Sequence, residues 1–150
     1  MYPARTAYKL VSGVKEYQAC HTFMAAECKH PLALKDQVPP PGKPKFCFPT
    51  VYAERDKKLV GLMASQLHKR LGLIVCPIHI SYALKNHVPV ALRLIEAYEG
   101  ILRQAEQTNY HVVSPAFKPS GRRIWEELRH AELIWQSADK RLNLYLVTLV

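Results

Sequence analysis

The chain has 150 residues, 49% hydrophobic and 22% charged, with a formal net charge of +9. That length holds one domain with a real core and leaves no room for two comfortable ones, and the composition is that of a soluble globular chain. No window has the unbroken apolar run of a membrane span, and the N-terminal MYPARTAYKLVSG lacks a signal-type apolar core, so a single cytoplasmic domain over residues 1–150 is expected.

ARTAYKLV reads as a first strand. Ser12 then stands as an N-cap for a helix through VKEYQACHTFMAAECK, whose Val14, Tyr17, His21, Met24 and Cys28 share one face at spacings of three and four. HPLALKDQVPPPGKPK cannot continue that helix. Three consecutive prolines, then Gly42 and Pro44, impose an extended connector at about 30–45, readable as a stiff crossover loop or as a docking arm. FCFPTVYAER, LVGLMASQL and LIVCPIHIS, joined by turns at Asp56-Lys57-Lys58 and HKRLG, form an antiparallel meander. Pro49 and Pro77 should each mark a bulge, an edge or a break in it.

A helix follows from Pro89 to about Gln107, with Ala91, Leu94, Ile95, Tyr98, Ile101, Leu102 and Ala105 as its apolar stripe and Asn109 at its exit. Pro89 suits the first turn, where its missing N–H has no intrahelical partner to lose. YHVVSPA is a further strand, and PSGRRIWEELRHA a shorter helix with Ile124, Trp125 and Leu128 facing inward. ELIWQSADKRLNLYLVTLV closes as a hairpin turning at Ala138-Asp139-Lys140. The order predicts an α+β domain built on a mixed sheet.

Cys20, Cys28, Cys47 and Cys76 form no CxxC pair, and Cys20-His21 with Cys28 and His30 match no familiar zinc spacing, so reduced, packed thiols and no metal are expected. The positive charge attracts polyanions: nucleic acid, a phosphorylated cofactor or an acidic protein surface. Its basic residues are scattered, and the pairs Lys57-Lys58, Lys69-Arg70, Arg122-Arg123 and Lys140-Arg141 read mostly as solvated turn residues.

This order of elements, with VYAERDKKLVGLMAS inside it, resembles the GCN5-related N-acetyltransferase (GNAT) family, and in its compactness is similar to small phage-type members, some virion-associated. The resemblance implies a mostly antiparallel sheet flanked by helices, and acetyl-CoA as cofactor. LIVCPIHIS would be a strand splayed from its neighbour, with the backbone at Ile78 and Ile80 open to the pantetheine arm. The loop SYALKNHV would face the pyrophosphate at the positive end of the Pro89 helix, with Lys85 supplying charge and Asn86 and His87 hydrogen bonds. The chain departs from the family where a glycine-bearing phosphate loop is expected. It also departs on the short helix, where Lys118, Trp125 and Arg129 stand at asparagine, tyrosine and glycine positions. Trp125 offers an indole N–H there but no useful acid. Under the resemblance His79 and Glu54 are candidates for the base that deprotonates an amine, and Tyr82 for the acid that meets the thiolate.

Three readings follow. The first is an acetyltransferase fold that has lost efficient catalysis and serves as a protein-binding or assembly module, in a virion if of phage origin. The second is an active acetyl-CoA-dependent N-acetyltransferase with an unusual loop. The third is a basic nucleic-acid-binding domain, disfavoured because no strand or helix face interleaves aromatic and basic residues.

Overall fold

The computed structural model describes residues 5–28, 47–75, 78–81, 83–84, 87–116 and 119–149. The expected proline-rich connector, with Cys76, Pro77, Tyr82, Lys85, Asn86 and Lys118, lies outside them. Strand β1 (Thr6–Leu10) leads to helix α1 (Val14–Cys28), then to β2 (Cys47–Arg55), β3 (Lys58–His68), β4 (Gly72–Val75) and the short β5 (His79–Ile80). Helix α2 (Val88–Gln104), β6 (Asn109–Pro115), α3 (Pro119–Arg122) with a π-helical turn running on from it (Arg123–Leu128), β7 (Glu132–Gln136) and β8 (Leu142–Thr148) complete the order.

These strands make one sheet in the order β1-β2-β3-β4-β6-β8-β7, with β5 paired to β3 beyond β4. All pairings are antiparallel except β4 with β6. The expected mixed α+β architecture is therefore present. Asp56 and Lys57 both take positive φ, the two-residue turn whose twist matches the strands it joins. The register of β2 on β3 shifts between Cys47 and Val51, around Pro49, as the sequence anticipated, and again between Ala53 and Glu54.

Two cores result. On one face α1 covers Val11, Tyr52, Leu62 and Ala64 with Cys20 and Met24. On the other, Val90, Leu94, Ile95, Tyr98 and Leu102 of α2 meet Val51, Met63, Val75, Tyr110, Val112, Tyr145 and Val147 from five strands, joined by Ile124 and Trp125.

Several local expectations need correcting. Gly13, not Ser12, accepts the first helical hydrogen bond of α1, from the Tyr17 N–H at 3.1 Å, while the Ser12 hydroxyl donates to Glu16 Oε1 at 2.7 Å. Val14 is exposed and Cys20 fully buried, because apolar residues of α1 occupy more than one face and packing selects the stripe through Tyr17, Cys20 and Met24. Helix α2 ends at Gln104, Glu106 takes the left-handed conformation just past it, and Asn109, expected at the exit, instead opens β6. Leu128 is exposed.

Polar ties fix α2 to the sheet. The hydroxyls of Tyr98 and Ser65 are hydrogen-bonded, and Tyr110 donates to the buried Glu99 Oε2 at 2.6 Å. Glu99 Oε1 also lies 3.5 Å from Arg129 Nη1 and 3.8 Å from Arg103 Nη2. The Tyr98 and Tyr110 rings meet edge-on at 5.1 Å. Gly61 sits where a Cβ would come within 3.3 Å of His79 O and Leu94 Cδ1, so this glycine lets β5 and α2 close on β3.

Tyr110→Phe removes a hydrogen bond to a buried carboxylate and should cost about 2 kcal/mol in urea unfolding with an unchanged denaturant slope. Gly61→Val should cost roughly 1–3 kcal/mol by overpacking the same junction, read in the same assay. Burial raises the phenol pKa of Tyr98 to about 12, and burial with the Glu99 charge raises that of Tyr110 well above its ordinary value. A raised folded-state pKa gives stability that is complete below the unfolded value and lost as pH rises, so unfolding free energy should fall above about pH 10. Tyr98→Phe should flatten that fall.

Candidate functional site

Strands β4 and β6 share two rungs, Ile74 with His111 and Val75 with Val112. Past them the strands part. The chain after β4 keeps to β3, which β4 already pairs, with His79 opposite Leu62 and Ile80 opposite Gly61, while β6 stays on β8 as far as Pro115. Because the Ser81 N–H donates to Val60 O at 2.8 Å, strand alternation turns the N–H and C=O of Ile80 away from β3, towards the gap. The side chains of Ile78 and Ile80 pack on the α2 core, and His79, buried, lies on the α1 face.

Helices α2 and α3 begin at the open end of this gap, and a cleft of about 490 Å³ lies between them. Val88 forms one wall, and Pro119, Ser120, Arg123, Ile124 and Leu128 the other. The helical ladder of α2 starts with the Ala91 N–H donating to His87 O at 2.9 Å. The N–H groups of Val88 and Val90 therefore precede the ladder, Pro89 between them has none, and no acidic residue occupies the first turn. This end of α2 carries the positive pole of its dipole. Arg123 Nε lies 3.6 Å from Glu127 Oε2, both side chains largely exposed, a pairing worth little against an incoming anion. Gly121 lets α3 approach β6: a Cβ there would stand 2.9 Å from Ser114 Oγ.

Among the described residues the sequence-derived candidates lie on different elements. Glu54 sits on β2, beside the β2–β3 turn, with its Oε1 3.2 Å from Lys9 Nζ. Strand β3 lies between it and His79. His87 is half-buried directly ahead of α2, in helical conformation and with no side-chain cap bond. Trp125 is buried in the main core, edge-on to Tyr110 at 6.4 Å, while the cleft side of the same turn shows Arg123, Ile124 and Leu128. The helix exit at Arg129 needs no glycine, since its φ is −105°.

Arg123 and Ser120 on the cleft wall were missed by sequence reasoning, which took Arg122-Arg123 as solvated. The available signal was their place in PSGRR, one turn into a helix that follows a strand. His111 was missed as well, although a histidine inside YHVVSPA interrupts an apolar strand. Among the described residues no group of three or more His, Cys, Asp or Glu could hold a metal, and no helix is long and apolar enough to cross a membrane.

Three solved structures with this arrangement share little sequence with the chain. An acetyltransferase-like protein of Acinetobacter baylyi ADP1, described as putative, superposes with a TM-score of 0.71 at 11% identity, over 99% of this chain and 95% of that one. The diaminobutyrate acetyltransferase of Paenibacillus lautus, solved with L-2,4-diaminobutyric acid and coenzyme A, gives 0.68 at 9% identity, over 97% and 96%. The ribosomal-protein-S18-alanine N-acetyltransferase of Escherichia coli gives 0.64 at 10% identity, over 97% and 93%. The fold is that of the GCN5-related N-acetyltransferases. No protein-family model matches the chain, and no curated protein matches it in sequence. At these identities the GNAT likeness concerns backbone architecture, and it spans nearly the whole chain.

Proposed function

We propose that this chain binds acetyl-CoA in the cleft between α2 and α3 and transfers its acetyl group to a primary amine. The observation that carries the reading is the cleft itself: about 490 Å³ at the open end of a splayed strand pair, with a helix N-terminus on one wall and a guanidinium on the other. The donor set fits a phosphorylated ligand with a long, largely apolar arm. The Val88 and Val90 N–H groups and Arg123 suit its phosphates, Ile124 and Leu128 its apolar parts, and the Ile80 backbone its amide groups. Lys85, Asn86 and His87 belong to the same phosphate subsite in this reading. Acetyl-CoA supplies a thioester carbonyl open to attack by an amine; the chain's own residues hold the arm, exclude water from the gap and receive the amine's proton.

A second reading, a binding module without turnover, is favoured by one observation. The helical turn that would offer a phenol to the cleft carries Trp125 in its place and buries it. An assembly role, in a virion or elsewhere, rests on the sequence resemblance alone.

Calorimetric titration with acetyl-CoA should give micromolar binding. Arg123→Ala should weaken it roughly threefold to tenfold, with a shallower salt dependence than the parent. Thiol release from acetyl-CoA across a panel of primary amines then separates the readings. Binding with turnover supports the transferase, binding without it a module that keeps the cofactor, and no binding at millimolar ligand removes the transferase and leaves a protein-binding module.

A further inference from the structure

We propose that His111 is the proton acceptor for the incoming amine, acting on the sheet face opposite α2. The inference rests on the acetyl-transfer reading above. His111 is 8% exposed, and its Nδ1 is buried with no hydrogen-bond partner among the described residues. Tyr110 and Val112 on either side point into the α2 core, so strand alternation sends His111 the other way. There its register partners are Ile74 on β4 and Leu146 on β8, both apolar. Glu132 of β7, opposite Leu146 and exposed, is the charged residue that register places beyond them. A buried imidazole nitrogen left bare in such surroundings calls for an explanation, since a buried polar group without a partner costs about 1–3 kcal/mol.

The topology supplies that explanation. Helices α2 and α3 both stand at the open end of the gap and on one face, so an arm entering from their cleft runs along Ile80 towards the closed end at Val75 and Val112. A group reaching through the sheet at that end meets the opposite face beside His111, which occupies the adjoining rung. His79 shares that face but already has a partner of its own. The step balances as follows. The amine nitrogen attacks the thioester carbonyl carbon, the C–N bond forms and the C–S bond breaks. The proton shed by the nitrogen passes to His111 Nδ1 and from there to the departing thiolate, leaving an amide, a free thiol and a neutral imidazole.

The test needs no knowledge of the natural amine. Protein labelled with ¹⁵N-histidine is observed by NMR at a pH where the imidazole is neutral, with the His111 signals assigned by their loss in His111→Gln. If that variant fails to fold, contacts between the ring and the Ile74 and Leu146 methyls provide the assignment. Nδ1 should be the unprotonated nitrogen. Acetyl-CoA should shift its resonance, whereas adenosine 3′,5′-bisphosphate, the nucleotide end without the arm, should not. An Nδ1–H tautomer overturns the proposal, and so does a signal indifferent to acetyl-CoA that calorimetry shows to be bound. Absence of calorimetric binding fails the acetyl-transfer reading first and takes this inference with it.

Discussion

The parallel contact between β4 and β6 lasts two rungs because each strand has a stronger claim on it elsewhere. The chain beyond β4 stays on β3, β4's own partner, where Gly61 allows close approach, and β6 is held along its whole length by β8. An open wedge of backbone is otherwise costly inside a sheet, since its N–H and C=O groups lose their partners. Here the wedge opens towards two helix starts, with a cleft between them. Cleft, helix pole and the bare imidazole at the closed end all follow from that divergence.

Three phenols tie helix to sheet around the wedge. Tyr98 reaches from α2 to Ser65 on β3, Tyr110 from β6 to Glu99 on α2, and Tyr145 from β8 to Glu126 on the π-helical turn, at 2.9 Å in the last case. Each spans from helix to sheet with an apolar ring inside the core and a hydroxyl that must find its partner at a set distance. The first ties α2 to the strands on one side of the wedge, the second ties it to the strands on the other. An aliphatic side chain would fill the same volume without fixing that length.

Order and type of the elements were legible because the signals were local: two-residue turns at Asp56-Lys57, periodic apolar residues in α2, alternation in β6 and β8. What failed depended on which face tertiary packing would choose. Val14 and Cys20 of α1 are both apolar, and only the sheet opposite decides that Cys20 is buried. The site was less legible still. His79 and Glu54 are plausible as chemistry, yet the placement of β3 between their strands is a fact of pairing that no spacing reveals. Arg123 carries no mark distinguishing it from Arg122, which pairs with Glu126 on the same short stretch. Chemistry at a fold's fork depends on residues drawn from strands far apart in sequence, so it becomes visible only once the strands are laid side by side.

The turn from Arg123 to Leu128 is wound as a π-helix, with the Arg129 N–H donating to Ile124 O at 3.0 Å. Such a turn holds one residue more than an α-helix would. That surplus lets Ile124 and Trp125 both face the core while Arg123 and Leu128 reach the cleft. It also sets the phase of everything downstream. A chain one residue shorter here would close into a regular α-helix and rotate the following backbone by about 100°, carrying Arg129 away from Glu99.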